Sequence, residues 1–132
     1  MILATLEQNV FFHIMHGVVF DPHPDTHHDT LVEMASKLIA GVVFHPHPKT
    51  HKDALVAMSK ALGEGILFCP RSKTPAKTLV VMSTVIKPGV IFFPIPKIQH
   101  DTLVAMSEAL GKGVFFHPHP DTPKEALIEM SR

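Results

Sequence analysis

The chain contains no tryptophan, no tyrosine and a single cysteine, Cys69. One cysteine excludes a disulfide framework within the chain and points to a reducing, cytoplasmic setting. Charge of either sign is not in surplus: 12 Lys and Arg stand against 12 Asp and Glu, and the isoelectric point is near 7.2. Without a basic excess the electrostatic footprint of a nucleic-acid binder is missing, as is the polybasic face of a peripheral membrane protein. No apolar run reaches the ~20 residues of a membrane span. Residues 1–16 have neither the basic start nor the cleavage site of a secretory signal. No P-loop, G-x-G-x-x-G fingerprint or Ser/His/Asp order is found, so neither nucleic acid, membrane nor a familiar catalytic apparatus is expected.

What is present is order of another kind. The 132 residues, 45% of them hydrophobic, suit one domain with a real core, burying roughly two-thirds of the unfolded surface. Behind a divergent segment, residues 1–16, the chain reads as one domain of five tandem units: 17–40, 41–64, 65–88, 89–112 and 113–132. Each begins at a glycine: Gly17, Gly41, Gly65, Gly89 and Gly113. Position 4 of every unit is Phe (Phe20, Phe44, Phe68, Phe92, Phe116) and position 6 is Pro. Position 15 is Leu, and position 18 is Met (Met34, Met58, Met82, Met106, Met130). A fixed period of this length is the signature of a repeat architecture. Register without insertion or deletion is the mark of a recently duplicated or engineered array.

Within a unit, positions 2–5 form a short apolar, β-branched and aromatic run between Gly and Pro, as in Gly41-Val-Val-Phe-His. This predicts a strand buried on both faces, of the parallel type. Prolines at positions 6 and 8 end it in an extended loop. A helix follows. Thr26/Asp29, Thr50/Asp53 and Thr122/Glu125 have the spacing of capping boxes; Lys77 breaks the pattern in unit three. Pro75 and Pro123 suit the first helical position. Leu55, Met58 and Leu62 share one helical face while Asp53, Ala57 and Lys60 lie opposite. Gly63 and Gly111 are placed to supply left-handed stops.

Strand, helix and strand at this spacing imply parallel strands with right-handed crossovers. The expected fold is α/β, a parallel sheet of sequential strand order forming a solenoid or a partial barrel. A flavodoxin-like doubly wound sheet, which also has five βα units, is the alternative. Residues 1–16 read either as a helix (Leu3, Leu6, Val10, Ile14) or as a degenerate strand, since Asn9-Val-Phe-Phe-His resembles Gly113-Val-Phe-Phe-His. Position 3 is also apolar throughout: Val19, Val43, Leu67, Ile91 and Phe115. Strand side chains alternate, so with all helices on one side a second apolar face needs a cover. Large exposed apolar patches mark interfaces, and repeat arrays need capped ends. A homo-oligomer is expected.

The chain holds 11 histidines. Ligands of open parallel sheets sit beyond the strand carboxyl ends, where positions 5 and 7 fall. His23, His45, His47, His117 and His119 are therefore candidate metal ligands, with Asp21 beside His23. If units one and two are neighbours, Asp21, His23, His45 and His47 converge, and imidazole with carboxylate suits zinc, nickel or copper. The competing reading makes them solvated or capping loop residues. Helix N-termini at the same rim offer anion sites, with His27, His28, His51, His100, Arg71, Lys73 and Lys97 near them, unless the capping acids already satisfy those ends. Cys69 at a strand end is a nucleophile only if its pKa is lowered; otherwise it is an inert core residue. The functional expectation is a structural, self-associating β/α repeat protein with no assignable catalysis. The alternative is metal or anion binding by the His-Pro-His-Pro loops.

Overall fold

The computed structural model describes residues 18–131; both readings of residues 1–16 lie outside the described residues. The described part alternates short strands and helices: β1 (Val19–Phe20), α1 (His28–Ser36), β2 (Val43–Phe44), α2 (Lys52–Ala61), β3 (Leu67–Phe68), α3 (Ala76–Val85), β4 (Ile91–Phe92), α4 (His100–Ala109), β5 (Phe115–Phe116) and α5 (Lys124–Met130). All strands join one parallel sheet in the order β1-β2-β3-β4-β5. This sequential order excludes the doubly wound alternative, whose strand order reverses at a switch point. The pairing is a pure translation, Phe20 opposite Phe44, Phe44 opposite Phe68 and so on. Each strand is two residues, positions 3 and 4, shorter than the four-residue run expected from sequence, because the position-6 proline stops the ladder.

Two clusters of buried side chains lie on opposite faces of the sheet. Positions 2 and 4 of the strands pack with the helix leucines and methionines: Val42, Phe44, Ile66 and Phe68 meet Leu55, Met58, Leu79 and Met82. The position-4 phenylalanines stack in a continuous ladder with centroid separations of 6.0, 6.1, 6.3 and 5.9 Å from Phe20 to Phe116, within the range of favourable aromatic pairs. The other face carries Val19, Val43, Leu67, Cys69 and Phe93 in a cluster that includes no helix residue. The helices therefore share one side of the sheet, as translation from unit to unit requires.

Helix starts differ from the capping-box expectation. The N-caps are position 11, not the threonine before it: His27, His51, Pro75, Gln99 and Pro123. The His27 and His51 Nδ1 atoms accept from the Asp29 and Asp53 amides at 3.2 and 3.1 Å, so imidazole does the work of an Asx cap. Thr50 and Thr122 are buried one residue earlier, their hydroxyls without a hydrogen-bond partner. Pro75 and Pro123 accordingly sit at the cap, one residue before the first helical position. The left-handed stops are also displaced: Gly63 and Gly111 do not have positive φ, whereas Gly41, Gly65, Gly89 and Gly113 do. At Gly65, with φ of 81°, a Cβ would lie 2.6 Å from that of Ala40. Close approach of successive units is what demands glycine, and it brings the Gly41 N–H to the Gly65 carbonyl at 2.8 Å, a bond repeated from Gly65 to Gly89 and from Gly89 to Gly113.

Candidate functional site

The loops that leave the strands share one turn. In units one, two, three and five, the position-10 N–H donates to the position-7 carbonyl: Thr26 to His23, Thr50 to His47, Thr74 to Arg71 and Thr122 to His119, at 3.0 to 3.1 Å. Ile98 does the same to Ile95 at 3.3 Å. Position 8, the second residue of the turn, is Pro in four units, and proline pre-sets φ there. Where position 7 is histidine its ring reinforces the turn: Nδ1 of His23, His47 and His119 accepts the amide of Asp25, Lys49 and Asp121, each at 3.1 Å. An Nδ1 that accepts fixes the neutral tautomer with its proton on Nε2. The His-Pro pairs thus have a structural use, and among the described residues five histidines serve as local backbone acceptors.

Positions 3 and 5 face the helix-free side, since they alternate with the phenylalanine ladder, and Arg71 at position 7 reaches Asp21 there. Along this face the units differ. Asp21 of unit one reaches over unit two and forms an ion pair with Arg71 of unit three. Both side chains are largely buried, 13% and 15% exposed. His45, in the intervening unit and 4% exposed, donates from Nδ1 to the Cys69 carbonyl at 2.6 Å, the opposite tautomer to that of the turn histidines. Further along, Phe93 lies against the His117 and His119 rings at 5.2 and 5.7 Å. The sequence-expected ligands are therefore distributed: His45 is buried between units two and three, His23 is exposed beside Asp25, and His117 and His119 lean on Phe93. Among the described residues no three or more of His, Cys, Asp and Glu are grouped so as to hold a metal ion.

Cys69 is fully buried, and loss of hydration pushes its thiol well up from the usual value, only partly opposed by the Arg71 charge. Desolvation disfavours the thiolate, so Cys69 is a small core residue and not an activated nucleophile.

The helix N-termini at this rim are unequal. α1 and α2 have both a histidine cap and an acid in the first turn, Asp29 and Asp53. α3 has neither, and Ala76, Lys77 and Thr78 open it. At the same rim, the loops of units two to four enclose a cleft of about 480 Å³ lined by residues that include His47, Lys49, Arg71, Ser72, Lys73 and Lys97. The signal for it lies in the repeat column at position 9, which reads Asp25, Lys49, Lys73, Lys97, Asp121. A reading along the chain, unit by unit, passes over it. The Asp21–Arg71 pair, 50 residues apart, left no sequence signal beyond two departures from the commonest residue at positions 5 and 7.

Comparison with known proteins finds no matching family, no curated relative and no matching solved structure.

Proposed function

We propose that the protein is a self-associating β/α repeat scaffold in which two copies join through the β5 ends of their sheets. The observation that carries this is the contrast between the first and last strands. Val19 and Phe20 of β1 are each 1% exposed, whereas Phe115 and Phe116 of β5 are 62% and 37% exposed. Among the described residues, three of the six large exposed hydrophobic residues, Phe115, Phe116 and Ile128, belong to unit five, so exposed apolar surface gathers at that end.

Backbone chemistry supports the same reading. Inside the array, carbonyls at positions 2 and 4 accept from the next unit, as Val42 does from Leu67 and Phe44 from Cys69, at 2.9 and 3.0 Å. In unit five the equivalent carbonyls, on Val114 and Phe116, lie along the outer edge. An edge of unpaired groups beside bare phenylalanine is a template for another chain. Because β1 is buried, the free edge is matched by its own copy and not by the opposite end. The association is then isologous and closes at a dimer instead of running on as a fibre.

Light scattering in solution tests this. The expected mass is twice the 14.6 kDa of the chain, falling to one chain in Phe115→Lys with helix content unchanged. A wild-type monomer throughout the micromolar range, or a Phe115→Lys variant that remains dimeric, refutes the proposal.

A further inference from the structure

The cleft at the rim of units two to four is independent of the β5 edge. Its ionisable lining consists of Lys49, Lys73, Lys97, Arg71 and two imidazoles, and no carboxylate lines it. The three lysines hold position 9 in three successive units that are related by translation, so they form a row across the rim. Neighbouring units are about 4.8 Å apart, and like charges directly opposite on adjacent strands repel. Among the described residues no acid pairs with Lys49, Lys73 or Lys97. The end units, outside the cleft, have Asp25 and Asp121 at that position. A row of like charges confined to the units around a cleft, in a chain of zero formal net charge, is a local arrangement and not a by-product of composition.

We propose that this cleft binds a small polyanion carrying two or more phosphate groups. The row spans two unit steps, about 10 Å, which one phosphate cannot bridge. Lysine ammonium groups act as exposed point charges suited to phosphate oxygens. The Arg71 guanidinium is engaged with Asp21 and forms the inner wall. His47 contributes an Nε2 donor, since its Nδ1 accepts from Lys49, and Ser72 contributes a hydroxyl. A volume of 480 Å³ falls within the range of small-molecule sites and is too confined for a duplex.

Calorimetric titration of the full chain with sodium tripolyphosphate tests the site. One ion per chain is expected, with orthophosphate at least about tenfold weaker because it meets fewer of the cations. Each of Lys49→Gln, Lys73→Gln and Lys97→Gln should weaken binding about threefold, and the triple variant more than about tenfold. A control with the same charge loss at the other ends of the units, Lys60→Gln with Lys87→Gln and Lys112→Gln, should bind as wild type. All these lysines are exposed, so melting without ligand should not fall in either variant, which separates lost binding from lost folding. Absence of binding, several ions per chain, or equal weakening in the control overturns the proposal. Citrate binding as tightly as tripolyphosphate removes the phosphate assignment, and tighter binding of a single-stranded oligonucleotide removes the small-ligand assignment.

Discussion

Phe44 and His45 are consecutive in the chain and lie on opposite faces of the sheet, and the two faces follow different rules. On the helix side every unit presents the same phenylalanine, and Leu and Met at fixed positions fill the space behind it. On the other side position 5 is Asp21, His45, Cys69, Phe93 and His117 in turn, and position 7 departs from histidine at Arg71 and Ile95. The uniform face makes contacts that any unit can make with its neighbour, so it accounts for why the array stacks. The varied face makes contacts that depend on which unit is which: an ion pair from unit one to unit three, a histidine on the Cys69 carbonyl, aromatic contacts between units four and five. Individual character in this protein is therefore found away from the helices and along the rim.

Substitutions sharpen this division. Phe68→Ala removes a ring at the centre of the ladder that has no exposed surface, and should cost about 3–5 kcal/mol in urea denaturation. The same change at Phe116, the exposed end of the ladder, should cost less than half as much; equal losses would show that the ladder is not a graded core. Next in size is the ion pair on the varied face. Asp21→Ala leaves the guanidinium of Arg71 largely buried without that carboxylate and should cost about 2–3 kcal/mol, while Asp21→Leu with Arg71→Met should recover much of it. Failure of the double variant to recover would mean that the pair also holds the rim in shape.

Backbone positions separate in the same way. Gly89→Ala forces a side chain into φ of 92° and places its Cβ 2.9 Å from the Glu64 side chain, a loss of about 1–2 kcal/mol. Gly63→Ala meets nothing within 4 Å and should be neutral or stabilising by up to ~1 kcal/mol. Thermal melts of the two variants suffice to compare them. Cys69 sets a test on the alkaline side. Its thiol stays protonated in the fold but ionises in the unfolded chain above the usual value of 9.0. There the unfolded state binds fewer protons, so stability falls as pH rises, by up to about 1.4 kcal/mol per pH unit. Cys69→Ala should abolish that slope, and a thiol reagent should label native Cys69 only at the rate of unfolding. Smallest is the helix cap: His51→Ala should cost about 1 kcal/mol and His51→Asn should restore it.

The fold was legible because its causes are local and repeated. Gly, the strand phenylalanine, proline, and the helix leucine and methionine return at one period, and each has a separate physical reason to be there. Element edges were less legible. Thr26 and Thr50 have the pattern of a cap, yet the ring of His27 or His51 one residue later competes for the same amide and holds it. The glycines Gly63 and Gly111 look like helix stops, but the backbone strain falls where two units touch, a contact between residues 25 apart (Ala40 and Gly65) that spacing within one unit does not reveal. At the rim, the histidines drew attention as ligands because they are numerous. Nδ1 of His23, His47 and His119 instead accepts a neighbouring amide, and Nδ1 of His45 donates to the Cys69 carbonyl. The lysine row is a property of a repeat column, position 9, and not of any stretch along the chain.

The backbone hydrogen bonds that join one unit to the next tie residues 24 or 25 positions apart, and among the described residues they are few: two from the strand and, from unit two onward, the glycine bond. Pulled by its two ends, such a molecule would give way like a row of hooks, one set at a time, with no single clasp holding the rest. Each release would pay out a loop of two dozen residues, about 80 Å of slack chain. A force trace of evenly spaced, low peaks is the mechanical signature that this stitching implies.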